Sequence, residues 1–550
     1  MSTDEEFPEA SQFLHSEGPT LTQADLITRS MNQNGGPSQS IVSTSAETKS
    51  SPSLPTDLEI NGFNNSRAGP ASQPQERTDD SGARTRRWLI IFVLFIAICG
   101  IVAAIVVPLY VVKPSATPQS TPPTSSPVVP PNVNPTEAPT TKDVGTPPPT
   151  TMRFGTFVKN FASTISRSAV FEDPTSPQYK AVNFITNDAK FTSSLLDEAT
   201  LGDFYAVSAF YYSTGGDFWF ECSQGSENCP SGVSWMNPDV SYCEWAWITC
   251  NEAGRVIDIV FSDTKDNNLT GTLTSELGVL TELEQFVVVN NDIKGKLPDK
   301  LGDLTHVTHF ILANNSFSGR IHDTFLENSP VEVFMVSQNK FKGNVPASLT
   351  KITSLLQIFL DNNRFSGPIP ADFGSLPQLA TLDLSANFLE GEIPESIFSA
   401  SMENLYLGGS TKITGSLSSA VGKARTLGRL HITGTGISGS IPGDLFTLPF
   451  LSEIVLSNNK LTGGLPETVS NLGGTLRLMM LDGNGFSGDL PSVAIDELAI
   501  LNVLTLDRNA FTGAISATTC SQRGEGYFDL QILTVDCAEV TCSCCNNCSS

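Results

Sequence analysis

The stretch LSEIVLSNNKLTGGLPETV, Leu451 to Val469, decides the fold of this chain. Its glycine, Gly463, belongs to a series that recurs at steps of 24 residues eight times and then at 25 residues twice. The series consists of Gly271, Gly295, Gly319, Gly343, Gly367, Gly391, Gly415, Gly439, Gly463, Gly488 and Gly513. A fixed period of this length predicts a solenoid, because so short a unit cannot bury its apolar edge unless it stacks on its neighbours.

A polar residue stands four positions before each glycine, and in nine of the eleven units it is asparagine. These positions are Asn267, Asn291, Asn315, Asn339, Asn363, Asn387, Thr411, Thr435, Asn459, Asn484 and Asn509. We expect the carboxamide to satisfy both the N–H and the C=O groups of a backbone that turns inside the stack. The glycine permits a backbone conformation or a close approach that a side chain would forbid.

The repeat is least regular in two places. A three-residue bulge is predicted within Ser262 to Asp266, ahead of the first ladder asparagine. In the seventh unit the spacing predicts a one-residue insertion around Gly408 and Gly409. Thr411 and Thr435 are expected to take the place of ladder asparagines, so this region should be the most loosely specified part of the stack.

The repeated phrase LxxLxxLxLxxNxLxGxIP resembles the plant-type leucine-rich repeat of receptor-like proteins, receptor kinases and secreted cell-wall inhibitors. The resemblance implies an α/β fold: a curved, right-handed leucine-rich-repeat solenoid with a parallel sheet on its concave side. The run CEWAWITC, Cys243 to Cys250, resembles the CxWxGVxC signature of the N-terminal cap of such repeats. Trp247 occupies the place where that family usually has glycine.

A membrane segment precedes the repeats. The run from Trp88 to Val112 contains no charged residue and exceeds the ~20 residues needed to cross a bilayer, and its abrupt polar flanks disfavour a buried core helix. Arg84, Arg86 and Arg87 lie before it, so the positive-inside rule predicts a cytosolic N-terminus. Because Met1 begins a polar, acidic stretch rather than a signal peptide, we expect a single-pass, type II signal anchor, most consistent with the plasma membrane.

The predicted organisation has six parts. They are a disordered cytosolic tail (1–87), a transmembrane helix (88–112), a Pro/Thr/Ser-rich stalk (113–151), a helical, Cys-containing N-terminal cap (152–255), about eleven leucine-rich repeats (256–516) and a Cys-rich C-terminal cap (517–550). Within the N-terminal cap, the apolar spacing between Phe154 and Gly215 predicts two or three amphipathic helices.

Ten of the eleven cysteines follow the stalk, and Cys99 lies in the membrane segment. An even number in an exported domain predicts disulfides. We expect Cys222 to pair with Cys229 and Cys243 with Cys250, while the connectivity of the last six stays open. Those six are Cys520, Cys537, Cys542, Cys544, Cys545 and Cys548. A thiolate metal cluster in this tail is the less favoured alternative.

Three sequons, at Asn268, Asn314 and Asn547, are predicted N-glycosylation sites in the exported part of the chain. A formal charge of −25 and a pI near 4.5 argue against a nucleic-acid partner. The acidity is expected to keep an exposed domain soluble.

The sequence contains no catalytic constellation. It has no HExxH, GxSxG or Gly-rich phosphate-loop motif, and the histidines of the repeat region stand far apart. These are His306, His309, His322 and His431, of which His309 and His431 are expected on the surface. We therefore predict a protein that is not an enzyme and uses no cofactor or metal.

A candidate ligand-binding strip comes from the residue between the two inward apolar positions of each strand. Its members are Val287, Ile311, Met335, Phe359, Asp383, Tyr406 and His431. The first four should form a contiguous, exposed apolar row, and such rows mark interaction sites. The alternative is that β propensity alone selects these residues.

The resemblance to receptor-like proteins implies a cell-surface recognition role. We expect the ectodomain to bind an extracellular peptide, glycan or protein ligand, and to signal through an associated co-receptor because the chain contains no kinase motif. An adhesion or cell-wall tethering scaffold is the first alternative, and an inhibitor of secreted wall-degrading enzymes is the second.

Overall fold

The computed structural model describes residues 151–549, except 189, 191–196, 231, 262–265, 400, 525 and 527–528. The predicted tail, membrane helix and stalk up to residue 150, and the bulge predicted after Phe261, lie outside the described residues. Among the helices that are described, none combines the length and the apolar character needed to cross a bilayer.

One 14-stranded sheet, here called the main sheet, runs through the whole repeat region. Its strands are β1 (Ile248–Cys250), β2 (Val256–Phe261), β3 (Gln285–Val288), β5 (His309–Ile311), β7 (Val333–Met335), β9 (Gln357–Phe359), β11 (Thr381–Asp383), β13 (Asn404–Tyr406), β15 (Arg429–His431), β17 (Glu453–Val455), β19 (Leu478–Met480), β21 (Val503–Thr505), β23 (Ile532–Asp536) and β25 (Asn547–Ser549). All pairs are parallel except β1 with β2. The parallel sheet predicted for a leucine-rich-repeat solenoid is confirmed.

Two shorter parallel sheets lie on the outer side of the coils. The first contains β4 (Lys294–Gly295), β6 (Ser316–Gly319), β8 (Lys340–Gly343), β10 (Arg364–Gly367), β12 (Phe388–Glu392) and β14 (Lys412–Thr414). The second contains β16 (Ser438–Gly439), β18 (Lys460–Gly463), β20 (Gly485–Asp489), β22 (Ala510–Ala514) and β24 (Val540–Thr541). Most coils then close through a short 3-10 helix that follows an extended proline, such as Pro298 with φ −64° and ψ 133°.

The ladder asparagines connect successive coils as predicted. The Nδ2 of Asn363 donates to the Leu360 carbonyl in its own coil at 3.2 Å and to the Val336 carbonyl in the preceding coil at 2.8 Å. Its Oδ1 accepts the Phe341 N–H at 3.0 Å. The same three contacts recur from Asn315 onwards at most ladder positions, so one buried side chain satisfies donors and acceptors of two coils.

The seventh unit departs from the prediction. Ser410, not Thr411, is buried in the ladder position, and its Oγ accepts the Leu389 N–H at 3.3 Å. Thr411 is exposed and forms the inserted residue, which follows the ladder position instead of preceding it at Gly408 and Gly409. In most other coils the ladder residue follows the core residue at the end of the strand by three positions. The same interval counted from Leu407 leads to Ser410, because packing fixes the distance between these two residues.

The recurring glycines all adopt a left-handed backbone, with φ between +78° and +99°. Several are also covered by a side chain from the coil before. A Cβ added to Gly319 would lie 2.7 Å from Cγ of Lys296, and one added to Gly343 would lie 2.9 Å from Cγ of Arg320. Both reasons predicted for glycine, conformation and close approach, are therefore present.

The N-terminal cap contains helices α1 (Thr151–Ile165), α2 (Pro177–Asn183) and α3 (Glu198–Ser213). The expected amphipathic pattern is wrong for α3, which is buried nearly all round because it lies between α2 and the first coil. A bidentate ion pair joins it to the sheet, because Arg255 donates to Asp203 from Nε at 2.9 Å and from Nη2 at 3.0 Å. The Val256 N–H donates to the same carboxylate at 2.8 Å. The pair fixes the cap to β2.

Trp247 stands at the position where the family signature has glycine, and its backbone adopts a conformation typical of glycine. Its φ is +65°, the left-handed conformation that glycine adopts most readily. The indole packs on Phe261 with ring centroids 4.6 Å apart, which offsets part of the conformational cost of about 1–3 kcal/mol. Toward the C-terminus, α4 (Ser492–Asp496) and α5 (Ala517–Ser521) replace the short 3-10 helices of the earlier coils.

Candidate functional site

The seven residues of the candidate strip lie side by side on consecutive strands of the main sheet. Val287 is in register with Ile311, Ile311 with Met335, and Met335 with Phe359. The row continues from Phe359 to Asp383, then to Tyr406 and His431. The structure thus brings all the predicted residues onto one line along the face opposite the core.

The first four residues, here called the apolar strip, are not exposed as expected. Val287 and Ile311 have no exposed surface, Met335 is 1% exposed and Phe359 is 8% exposed. They form an apolar cluster separate from the core, together with Val289, Ala313 and Val333. Lateral packing against identical positions on neighbouring strands accounts for part of this burial.

The next part of the row is polar, and we call Asp383, Tyr406, Arg429, His431 and Glu453 the polar half. Glu453 accepts from Arg429 Nε at 2.9 Å, and its other oxygen lies 2.9 Å from His431 Nε2. The Tyr406 ring meets the His431 ring edge-on at 4.9 Å. The side chains of His431 and Glu453 remain 27% and 25% exposed, so this network is accessible to a partner.

The carboxyl groups of this face have perturbed acidity. Burial, reinforced by the neighbouring charge of Asp361, raises the pKa of Asp383 to about 7. For Glu453, burial favours the neutral acid, but hydrogen bonds from His431 and Arg429 outweigh it and leave the pKa below its usual value. The face therefore holds one carboxylate that is firmly ionised and another that titrates near neutrality.

A second polar cluster at the C-terminal end was missed by the sequence reasoning. Asp482 is buried and accepts from Ser457 Oγ at 2.6 Å and Thr505 Oγ1 at 2.8 Å. Arg508 forms ion pairs with Asp482 and with Asp507. The sequence does contain a signal for this cluster. Its polar residues are spaced by about one repeat period, as Arg429 and Glu453 are, so they occupy neighbouring coils.

The predicted histidines are not brought together. His309 is buried rather than on the surface, and burial lowers its pKa. Its Nδ1 lies 2.9 Å from Thr308 Oγ1, whereas Nδ1 of His306 lies 2.8 Å from the Thr281 carbonyl. His322 contacts Thr324. Each histidine has local partners of its own, and the prediction that the chain is not an enzyme stays a prediction.

The N-terminal disulfides are confirmed as Cys222–Cys229 and Cys243–Cys250. In the tail, Cys520 pairs with Cys544 and Cys542 with Cys545, and Cys537 is also disulfide-bonded. The sulfurs of Cys520, Cys542 and Cys544 lie within 4.8 Å of one another. Because a metal-binding cysteine must be a thiolate, these oxidised sulfurs do not suit the metal alternative.

The sequons differ in their surroundings. Asn314 is exposed, and its Nδ2 donates to Asn290 Oδ1 at 3.0 Å. Asn268 is half-buried, and its Nδ2 donates to the Phe218 carbonyl at 2.9 Å. Asn314 is therefore the more accessible of these two predicted glycosylation sites, and nothing is described for the Asn547 side chain.

Three segments of the chain, 354–376, 378–400 and 450–472, match the family described as Leucine Rich Repeat. The matched segments and the continuous parallel sheet agree with each other. Together they define the repeat region as a leucine-rich-repeat solenoid, and disulfides lie in the segments at both of its ends.

Several solved structures are similar to this chain. The LRR ectodomain of the plant membrane receptor kinase GASSHO1/SCHENGEN3 from Arabidopsis thaliana, in complex with CASPARIAN STRIP INTEGRITY FACTOR 2, is 30% identical over 51% of this chain and 35% of its own, with a TM-score of 0.45. The Arabidopsis receptor kinase HAESA, in complex with the peptide hormone IDA and the co-receptor SERK1, is 26% identical over 49% of this chain and 52% of its own, with a TM-score of 0.41. A plant ice-binding protein is 22% identical over 57% of this chain and 91% of its own, with a TM-score of 0.41.

The matched part spans about a third to a half of the length of the two receptor ectodomains, 35% and 52%. No curated protein matches the chain.

Proposed function

We propose that this chain is a cell-surface recognition protein whose main sheet binds a peptide, or an extended segment of a protein, that carries cationic groups. The observation that supports the proposal is the continuity of the row from Val287 to His431. An apolar strip passes, strand by strand, into a polar half that is accessible and already organised by hydrogen bonds.

The charge of the face argues for a cationic partner. The acidic side chains on this side of the main sheet include Asp258, Asp361, Asp383, Glu453, Asp482, Asp507 and Asp536. Arg429 and Arg508 offset some of them through ion pairs, but the balance stays negative. A lysine or arginine of the partner would find carboxylates whose own hydrogen bonds hold them in place, which favours specific pairing.

The placement of the chain is proposed from its sequence alone. Residues 88–112 would anchor it with the N-terminus in the cytosol, and the stalk of residues 113–151 would carry the repeats outside the cell. Residues 1–87 contain no kinase motif, so signalling would depend on a co-receptor. Protease added to intact cells should remove a tag placed after Ser550 and spare one placed before Met1; the reverse result would invert the topology.

The binding proposal is tested with the full chain displayed on cells and screened against a library of extended peptides. A peptide recovered from the screen is then titrated against Glu453→Gln and against the matched control Glu390→Gln, which removes a carboxylate from the outer sheet. Loss of one partner of an interfacial charge pair typically costs 2–5 kcal/mol, so we expect Glu453→Gln to weaken binding at least about 30-fold.

A second pair of variants tests the apolar strip. Met335→Ser with Phe359→Ser should weaken binding of the same peptide, whereas Phe450→Ser, at an aromatic residue that is 64% exposed elsewhere, should not. Unfolding curves of each variant separate lost binding from lost folding. Equal affinities of wild type, Glu453→Gln and Met335→Ser/Phe359→Ser would refute the assignment of the binding face.

A further inference from the structure

The first outer sheet carries a row of cations that the peptide-binding proposal does not use. Arg364 on β10 is in register with Lys342 on β8. On the other side, Ser318 is in register with Lys340 and Gly319 with Phe341, so the next position, Arg320, lies beside Lys342. Neighbouring strands are about 4.8 Å apart. Arg320, Lys342 and Arg364, here called the cationic row, therefore follow one another across three coils.

The side chain of Arg320 also extends toward the coil that carries Lys342. Arg320 extends over Gly343 of the next coil, where an added Cβ would lie 3.0 Å from its Nε. The guanidinium is thus directed along the stack, toward the coil that carries Lys342. The glycine series is what leaves room for side chains to lie in this direction.

Three further cations, Lys294, Lys296 and Lys340, lie on the same sheet beside the cationic row, and all six side chains are exposed. Nζ of Lys340 donates to Ser316 Oγ at 3.3 Å. Within the described part of the chain, none of the six forms an ion pair. Like charges at facing positions on adjacent strands destabilise a sheet. The arrangement therefore opposes folding slightly and favours an anionic partner.

The overall charge of −25 does not cancel this local field. Salt screens charges beyond about 8 Å at physiological ionic strength, so only nearby acids matter. Those acids lie at the borders: Asp292 precedes β4, and Glu390 and Glu392 stand on β12. Glu390 is 3.9 Å from Lys412 on the far side.

The remaining surface of the sheet suits a carbohydrate. Ser366 on β10 is in register with Phe388 on β12, whose ring is 62% exposed. Together with Ser316 and Ser318, these residues give hydroxyl groups that can hydrogen-bond to a sugar and an aromatic face on which the apolar side of a sugar ring can stack. The cations are arranged in a line across the strands, which fits a linear polymer.

We propose that the first outer sheet binds an anionic, sulfated polysaccharide that runs along the stack, with its sulfate groups against the cationic row and a sugar ring against Phe388. This site is separate from the main-sheet face. A partner could occupy either site while the other is empty.

The test uses the purified full-length chain in neutral detergent and heparin as the sulfated polysaccharide. Affinity is measured as a function of salt concentration. The triple variant Arg320→Gln, Lys342→Gln, Arg364→Gln should bind at least about tenfold more weakly near 0.15 M salt, and its salt dependence should be shallower by about two to three units of slope, by the counterion-release logic known from other polyanions. Phe388→Ser should weaken binding several-fold without changing the slope.

The matched control is Lys159→Gln, Lys423→Gln, Lys460→Gln, which makes the same change in net charge at three exposed positions outside the first outer sheet. It should bind heparin like the wild type. Equal losses in both triple variants, or no heparin binding by the wild type at 0.15 M salt, would overturn the proposal. Binding to phosphatidylserine vesicles with no binding to heparin would also overturn it, in favour of a lipid surface. None of these results bears on the proposed peptide binding at the main sheet, because the variants lie on a different face.

Discussion

The ladder asparagine Asn363 offers the sharpest test of how the coils hold together. Replacing it with alanine removes the contacts of Nδ2 with three carbonyls, which its two N–H groups share, and one hydrogen bond accepted by Oδ1. The three carbonyls each keep another donor: Val336 from Asn339, Leu360 from Asn387, and Asp361 from the Gln338 N–H. The Phe341 N–H loses its side-chain acceptor while it remains buried.

The expected loss of stability comes mainly from the Phe341 N–H, because the carbonyls keep other donors. A buried polar group without a partner costs about 1–3 kcal/mol, and the weakened carbonyl contacts add a smaller amount. We therefore expect Asn363→Ala to destabilise its part of the stack by about 2–4 kcal/mol. Because repeat proteins unfold in nearest-neighbour steps, the effect should be concentrated in the coils that contain Phe341 and Asn363.

Hydrogen exchange of the full-length chain measures this locally. The Phe341 amide and its neighbours should exchange roughly 30- to 700-fold faster in Asn363→Ala. This factor is the destabilisation of about 2–4 kcal/mol converted at about 1.4 kcal/mol per factor of ten. The control is Asn344→Ala, at an exposed asparagine nearby, which should change exchange by less than about threefold. If the two variants exchange alike, the ladder does not stabilise the coils as argued.

Two further predictions concern packing and pH. Gly374→Ala should destabilise the protein by about 3 kcal/mol or more, because the new Cβ would lie 1.9 Å from the Ser396 carbonyl oxygen of the next coil; Gly443→Ala, where nothing lies within 4 Å, is the control, and equal denaturation midpoints would contradict the packing. Glu453 has a lowered pKa in the folded protein, so its stabilising contribution is present above its ordinary pKa near 4.5 and is lost as pH falls through the lowered value. The difference in unfolding free energy between wild type and Glu453→Gln should therefore shrink between pH 5 and pH 3, and a difference independent of pH would refute the network.

Much of the fold was predictable because it depends on one unit repeated at constant spacing. The left-handed glycines, the asparagine ladder and the two N-terminal disulfides are local consequences of residue type and interval, and all three are confirmed. The burial of Met335 and Phe359 was not predictable in this way. A strand pattern shows which side of a sheet a residue faces, but it does not show how exposed that residue is.

Contacts between coils were also harder to foresee. Arg429 and Glu453 are separated by one repeat period, so their pairing follows from the register only when equal positions are compared across units. Arg320, Lys342 and Arg364 are separated by 22 residues each, because the outer strands pair with a shorter interval than the repeat itself. The ligand-binding role of the strip and the domain limits remain predictions.

The interruption between the two outer sheets has a mechanical consequence. The main sheet passes through this region without a break, whereas the outer strands β14 and β16 belong to two different sheets and are linked by an isolated bridge between Ser416 and Ser438 and by the Gly436 N–H, which donates to the Ile413 carbonyl at 2.7 Å. Thr435 bonds forward to Asn459, and the Ile413 N–H turns back to Ser410 in its own coil. The continuous strand pairing of the stack at this point is therefore confined to the main sheet. Tyr406 and His431 are in register on the main sheet beside this interruption, so a change in the curvature of the stack there would alter the spacing between their side chains.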